Sequence, residues 1–241
     1  MNTLYGLPPG GGLRQGSPWV MKVELAMRCL KIDYDLNQIG IMQVWTRAPE
    51  GKVPWLVIDG QTISGSERIL RELEKYSDGA EFPVPEVCDD AQGILYNRLV
   101  EDHLFWLISA AKYFGSSKTA NIMKAMMPSV PFFICKLISP VGEKMISNRI
   151  RVTSLSGLSQ DEMEREAKRD ISLLKDRLSS SAFIAGNGLS IYDFSVAAHI
   201  ASILHWELED WLSELLKETK VFYDYLDRVS EAVGGFEFRM E

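Results

Sequence analysis

Residues that form disulfides or bind metal ions are scarce in this chain of 241 residues. Its cysteines, Cys29, Cys88 and Cys135, are odd in number, lie far apart and form no C-x-x-C pair. This pattern disfavours both a disulfide scaffold and a structural zinc site, and it fits a reducing cytoplasm. The 3 histidines are not spaced as metal ligands either, so we expect no bound metal.

Excess positive charge and long apolar runs are also absent. The chain has 26 Lys and Arg against 33 Asp and Glu, a net charge of −7, which argues against nucleic acid or an anionic membrane as a general partner. The most apolar run, residues 130–138, contains Lys136 and is too short to span a membrane. The first residues lack the charged start and apolar centre of a signal peptide, so we expect a cytoplasmic protein.

The most informative stretch is residues 51–70. An apolar strand is followed by Asp59-Gly60, which favours a tight hairpin turn, and then by a short returning strand. The spacing of Ser64 and Glu67 predicts a capping box at the start of a helix whose apolar face begins at Ile69.

Two backbone features of this stretch predict a binding site for an extended anionic peptide. Pro54 lies at the head of a strand, and a cis Val53-Pro54 bond would turn the backbone groups of Val53 towards solvent. The helix opening at Gly65-Ser66 offers unpaired N–H groups and the positive end of a helix dipole, which suit a carboxylate.

The remaining pattern predicts an α/β domain followed by an all-α domain. A strand at 3–7, a helix at 18–30 and a strand at 31–37 form a β-α-β unit, and 39–49 is a loop or a short helix. We expect domains at 1–79 and 88–241, joined by a proline-rich linker at 80–87. The second domain is predicted to contain helices at 88–114, 116–127, 132–138, 141–152, 159–178, 190–203 and 209–233, with capping boxes at Ser159 and Ser190.

Residues 51–70 resemble the glutathione-binding part of the N-terminal thioredoxin-like domain in glutathione S-transferases. This resemblance implies that Val53, followed by Pro54, pairs with the cysteinyl backbone of glutathione, and that Ser66 holds the γ-glutamyl carboxylate. In the family an acidic residue or Gln usually precedes the serine. This chain has Gly65 there, which removes one expected contact with the γ-glutamyl group.

The whole chain is similar to a subgroup of that superfamily that includes the failed-axon-connections proteins and the metaxins. Three features carry this likeness: a lengthened loop before Ser17, the Asn148-Arg149-Ile150-Arg151 segment, and Phe183-Ile184-Ala185-Gly186 running into the capping box of Ser190 and Asp193. Metaxin-like membrane attachment is not expected, because nothing after Lys220 resembles an anchor.

Ser17 is the predicted catalytic residue. Ser17-Pro18-Trp19 resembles the Cys-Pro-aromatic site of some transferases with serine in place of cysteine, which implies a hydroxyl that stabilises the glutathione thiolate and a Trp19 that contacts the second substrate. The structural alternative is a plain N-cap for the first helix, worth about 1 kcal/mol.

Three cations are candidates for a carboxylate or an anionic substrate. Lys52 precedes Val53, and Arg149 and Arg151 point to different faces if they lie on one helix, so one of them can line the cleft that faces Ser17. The structural alternative is a pair of solvated or salt-bridged arginines.

The resemblance implies an enzyme that conjugates glutathione to a small apolar electrophile, with no metal, and it allows a homodimer. Two further interpretations stay open. The first is a glutathione S-transferase-like interaction module without catalysis, which Gly65 favours. The second is a carrier of apolar acids.

Overall fold

The computed structural model describes residues 2–85, 88–114, 116–127, 130–208 and 210–240. The N-terminal part contains strands β1 Thr3–Gly6, β2 Asp35–Gln38, β3 Trp55–Ile58 and β4 Gln61–Ser64, with helices α1 Pro18–Cys29, α2 Ile41–Arg47 and α3 Ser66–Leu73. A 3₁₀ turn at Glu74–Tyr76 follows α3.

The sheet has the order β2-β1-β3-β4. β1 pairs with β2 in parallel and with β3 antiparallel, and β3 and β4 form the predicted hairpin. The mixed sheet and the β-α-β-α-β-β-α order confirm the predicted thioredoxin-like arrangement. The second strand lies later than predicted, because the chain leaves α1 through Lys31 with a left-handed φ of 55° and pairs with β1 only from Asp35.

The C-terminal part is helical, as predicted. Its helices are α4 Asp90–Arg98, α5 Phe105–Tyr113, α6 Ser116–Met126, α7 Phe132–Ile150, α8 Gln160–Ser180, α9 Ile191–Leu204, α10 Trp211–Lys217 and α11 Lys220–Ala232. A π-helical segment, Leu99–Leu104, joins α4 to α5. Residues 80–85 of the predicted linker form no helix or strand, and its residues 86 and 87 are outside the described residues.

The prediction of two helices around Pro140 was wrong, because α7 continues through this residue. Proline lacks the N–H that would bond to the carbonyl of Lys136. The Ser139 hydroxyl donates to that carbonyl at 2.9 Å, so the acceptor stays satisfied and the helix persists.

The single helix predicted for 209–233 was also wrong. The chain breaks between α10 and α11, where the Thr219 N–H closes a turn onto the Leu216 carbonyl at 2.9 Å. Asp210 caps α10 by accepting from the N–H groups of Leu212 and Ser213. Residue 209, where the predicted helix began, is outside the described residues.

Helix α9 forms the centre of the core. Every residue from Asp193 to Leu204 is buried, and the helix packs against α1, α4, α10 and α11. The capping boxes predicted at Ser159 and Ser190 are present, at the start of α8 and of α9. Within the described segments, no helix combines the length and the apolar character needed to cross a membrane.

Candidate functional site

A cleft of about 510 Å³ lies between the N-terminal sheet and the helical part of the chain. This volume lies within the usual range of small-molecule sites. The cleft wall contains all the predicted site residues except Arg151: Ser17, Trp19, Lys52, Val53, Pro54, Gly65, Ser66 and Arg149. Arg151 is exposed just beyond the end of α7 and is not part of the wall.

Ser17 lies at the start of α1, at the inner end of the cleft. Its backbone carbonyl accepts the first helical bonds, from Val20 at 3.1 Å and Met21 at 3.2 Å. The side chain is 5% exposed and makes no capping hydrogen bond to α1. Ser17 therefore occupies the N-cap position, yet its hydroxyl remains available to a ligand.

Val53 presents its backbone to the cleft. The Val53-Pro54 peptide bond is cis. Across the described residues, neither the N–H nor the C=O of Val53 pairs with another backbone group, whereas the neighbouring Pro54 carbonyl accepts from Gly65 at 3.0 Å. Val53 thus offers one donor and one acceptor to an extended ligand.

The prediction that Ser64 caps α3 was wrong. Ser64 ends β4, where it pairs with Trp55, and Gly65 occupies the cap position with a φ of 88°. A left-handed φ strongly favours glycine, which gives a backbone reason for Gly65. Ser66 is the first residue of α3, and its side chain, 7% exposed, lines the cleft.

Three cationic residues line the cleft wall, Lys52, Arg68 and Arg149, and they differ in their partners. The Lys52 ammonium lies 3.0 Å from Glu50, a carboxylate that also contacts the Arg68 guanidinium at 2.6 Å. The exposed Arg149 side chain forms no ion pair with any described residue. Arg149 is therefore the cation available to an anionic ligand without exchange of an existing partner.

Aromatic side chains form the wall opposite the sheet. Trp19 contacts Phe105 edge-on with ring centroids 5.4 Å apart, and Phe105 contacts Trp106 at 5.1 Å. The sequence pattern places Phe105 and Trp106 only within the predicted helix 88–114. Adjacent residues on a helix point about 100° apart, so two successive aromatics already indicate that one can face away from the core.

A buried polar network lies behind this wall. Lys22, with a side chain only 1% exposed, donates to Glu101 at 2.8 Å and also to Glu67 in the cleft wall. The Ser195 hydroxyl donates to the same oxygen of Glu101. This network was not predicted, although a lysine within an otherwise buried helical stretch is a signal for a buried ion pair.

His199 completes this region. Its Nδ1 contacts the Ser195 carbonyl at 2.8 Å, and its ring meets Trp19 edge-on at 5.0 Å. Burial lowers the pKa of His199 to about 4, and the charge of Lys22 acts in the same direction. The imidazole is therefore neutral near pH 7 and supports Trp19 as an uncharged ring.

Replacing Glu67 tests the link between the cleft and the network. Partial burial acts to raise the pKa of this carboxyl, but the charge and hydrogen bond of Lys22 outweigh it and lower the pKa. We expect Glu67→Gln to lose about 1 kcal/mol of unfolding free energy at neutral pH, because a half-exposed ion pair and a favourable charge at a helix N-terminus are removed.

The pH dependence gives the sign of this effect. A carboxyl group whose pKa is lower in the folded than in the unfolded protein stabilises the fold at pH values above its unfolded pKa. This contribution is lost as the pH falls through the folded pKa. The difference between Glu67→Gln and the parent in urea unfolding should therefore shrink below about pH 4. Glu237→Gln, at an exposed position, is the matched control, and an equal loss in both variants would contradict the assigned role of Glu67.

Comparisons with known proteins agree with this geometry. The sequence pattern of the glutathione S-transferase N-terminal domain matches residues 18–119. The isoprene-epoxide–glutathione S-transferase of Rhodococcus sp. (strain AD45) is 25% identical over 244 residues, covering 95% of this chain and 98% of that protein. Failed axon connections of Drosophila melanogaster is 25% identical over 209 residues, which cover 80% of this chain and 48% of the relative.

Solved structures share the fold. The β-etherase LigF from Sphingobium sp. strain SYK-6 matches with a TM-score of 0.66 at 18% identity, over 96% of each chain. Glutathione S-transferase III in its apo form matches with a TM-score of 0.61 at 13% identity, over 95% of this chain and 90% of that one.

A thioredoxin-like domain, a helical domain and a cleft between them define the glutathione S-transferase fold, which confirms the predicted fold class. These matches confirm the predicted resemblance to the glutathione S-transferase superfamily, and Failed axon connections is among the similar proteins. It spans about half the length of that relative.

Proposed function

We propose that this protein binds glutathione in the cleft and conjugates its thiolate to a small apolar electrophile. The observation that carries the proposal is the Ser17 hydroxyl, which lies buried in the cleft wall at a helix N-terminus and makes no capping bond. A free hydroxyl there can donate to a thiolate, and the helix dipole assists.

Residues 1–79 would provide the glutathione site. Val53 would pair with the cysteinyl backbone, since both of its backbone groups are unpaired among the described residues. Ser66 and the first N–H groups of α3 would hold the γ-glutamyl carboxylate. Lys52 and Arg149 are the candidates for the glycyl carboxylate, and the Lys52–Glu50 pair favours Arg149.

Residues 88–241, joined through the linker 80–87, would provide the wall for the second substrate. The aromatic rings of Phe105 and Trp106 face the cleft together with Trp19 from the first domain. Such rings favour an apolar body. The similarity to an isoprene-epoxide–glutathione S-transferase supports a small epoxide as the electrophile.

The residues of this chain have separate tasks in that reaction. Bound glutathione would supply the thiolate sulfur that forms the carbon–sulfur bond, while an epoxide carbon–oxygen bond breaks and its oxygen takes a proton from water. Ser17 would hold the sulfur in its ionised form by donating a hydrogen bond, and the aromatic wall would position the electrophile.

Glutathione binding is the first test. At a ligand concentration of one hundred times Kd we expect about 2.7 kcal/mol of added stability, seen as a rise in the thermal midpoint, together with heat in calorimetry. Cysteinylglycine, which lacks the γ-glutamyl group, is the matched control ligand and should bind more weakly. The absence of heat and of a thermal shift at millimolar glutathione would contradict the proposal.

A second candidate is a glutathione S-transferase-like binding or interaction module without catalysis. The similarity to Failed axon connections and the absence of a side chain at Gly65 favour it. An assay for conjugate formation distinguishes the two candidate functions. A protein that binds glutathione but forms no conjugate with any epoxide or other apolar electrophile would be a non-catalytic module. Both allow a cytoplasmic protein and a homodimer.

A further inference from the structure

Helix α7 leaves an unusually apolar side facing solvent. Phe133, Leu137 and Val141 follow one another at a spacing of four residues and are 71%, 77% and 61% exposed. Pro140 between them is also exposed. The opposite side of α7 packs on α5 and α6 and buries Cys135 and Ser139. We call the exposed row of Phe133, Lys136, Leu137, Pro140, Val141 and Lys144 the outer face of α7.

The charges on this face all have one sign. Lys136 and Lys144 are exposed on it. Glu143, the one acidic residue between positions 115 and 152 of the sequence, does not belong to the row, and its carboxylate accepts from Thr119 on α6 at 2.8 Å. The basic residues of the same stretch are Lys118, Lys124, Lys136, Lys144, Arg149 and Arg151.

This local excess of positive charge contrasts with the net charge of −7 for the whole chain. At physiological salt, charges on the protein surface are screened over about 8 Å. The charges close to a binding face therefore affect its interactions more than the net charge of the whole molecule does. The overall charge therefore does not exclude an anionic surface as a partner for this one face.

We propose that the outer face of α7 docks on an anionic lipid surface. A helix that binds in a membrane interface places large apolar side chains among the acyl chains and keeps lysine ammonium groups at the level of the headgroups. The apolar side chains on this face are Phe133, Leu137 and Val141, and the ammonium groups are those of Lys136 and Lys144. The match in charge with anionic headgroups favours such lipids over neutral ones.

A second copy of the chain is a poorer occupant. Two-fold pairing of identical faces would bring Lys136 and Lys144 of one copy towards the same lysines of the other. Like charges held close together at an interface disfavour association.

Vesicle flotation tests this proposal with the full chain. We expect the parent protein to float with vesicles of phosphatidylcholine and phosphatidylserine, less with phosphatidylcholine alone, and less again as salt is raised. Phe133→Glu/Leu137→Glu should lower the bound fraction at least about tenfold, because it removes apolar contacts and adds negative charge. Lys136→Glu/Lys144→Glu should abolish the preference for phosphatidylserine.

The matched control is Ser172→Glu/Leu173→Glu on α8. It adds the same charge at exposed positions, including a leucine that is 51% exposed, and should leave flotation unchanged. Circular dichroism checks that every variant keeps its helices. A parent protein that does not float with anionic vesicles would overturn the proposal. Equal losses in the α7 and α8 variants would also overturn it.

Sedimentation of the same proteins distinguishes a lipid surface from a second copy of the chain as the partner of the outer face of α7. The proposal expects the parent and Phe133→Glu/Leu137→Glu to have the same mass in solution. If the α7 variant dissociates a dimer and floats as well as the parent, the face is an interface between copies and the lipid proposal fails. Neither measurement requires glutathione or an electrophile, so the result is independent of the proposed conjugation.

Discussion

Ser17→Ala is expected to lower kcat/KM for glutathione conjugation by about 10- to 100-fold. A hydrogen bond to a charged group contributes about 1.5–3 kcal/mol, and each 1.4 kcal/mol corresponds to a factor of ten in rate. The side chain makes no capping bond, so its removal should change the stability of α1 very little. The pKa of the bound glutathione thiol should rise in the variant, because the thiolate loses a donor.

The decisive measurements are steady-state kinetics with an epoxide and an absorbance titration of the bound thiolate. Ser159→Ala is the matched control, because Ser159 caps α8 with a true side-chain bond from Glu162 N–H. That variant should lose about 1 kcal/mol of stability and keep its activity. If the Ser17→Ala protein conjugates as fast as the parent and the thiol pKa is unchanged, Ser17 has no catalytic role and only occupies the N-cap position of α1.

Asp193→Ala is expected to cost about 4 kcal/mol of unfolding free energy, since removing a buried hydrogen-bonded charge leaves several donors unsatisfied. The carboxylate is fully buried at the start of α9. It accepts from the N–H groups of Ile184 at 2.8 Å and Ser190 at 2.9 Å, and from the hydroxyls of Ser190 at 2.7 Å and Tyr225 at 2.9 Å. This one side chain therefore joins the loop before α9, the cap of α9 and helix α11.

Guanidinium unfolding followed by circular dichroism measures the loss, and the thermal midpoint should fall by roughly 8–16 °C. Asp193→Asn keeps one acceptor oxygen and should fall between the parent and Asp193→Ala. Asp161→Ala, at an exposed position in the first turn of α8, should cost well under 1 kcal/mol. An Asp193→Ala protein within 1 kcal/mol of the parent would contradict the central role of this carboxylate.

Local chemistry explains why much of the fold could be predicted. The Asp59-Gly60 turn and the capping boxes at Ser159 and Ser190 act over a few residues, and each is found in the structure. The errors lie where a specific hydrogen bond or strand pairing changes the outcome that the residue pattern predicts. Ser139 satisfies the carbonyl freed by Pro140, and pairing of Ser64 with Trp55 moves the cap of α3 to Gly65.

Some residues of the candidate site could be predicted from local sequence motifs, whereas others could not. Ser17, Val53 and Ser66 follow from motifs at strand and helix ends, because exposed backbone groups and a helix N-terminus are consequences of local structure. Glu67, Phe105 and Trp106 enter the cleft wall only when the two parts of the chain are brought together. Their roles depend on distances between segments far apart in sequence, which no local pattern encodes.

The sequence by itself determined the order of strands and helices in the N-terminal part and the helical character of the C-terminal part, since these depend on periodicity, capping and turn chemistry. The resemblance to the superfamily rests on the motifs of the chain, above all residues 51–70. Only the tertiary structure decided that Arg149 lines the cleft while Arg151 does not, that Lys22 joins Glu67 to Glu101 inside the protein, and that α7 leaves an apolar and basic face in solvent. The reason is physical: burial and charge pairing are properties of surfaces that meet, and the chain has those surfaces only after its helices have packed.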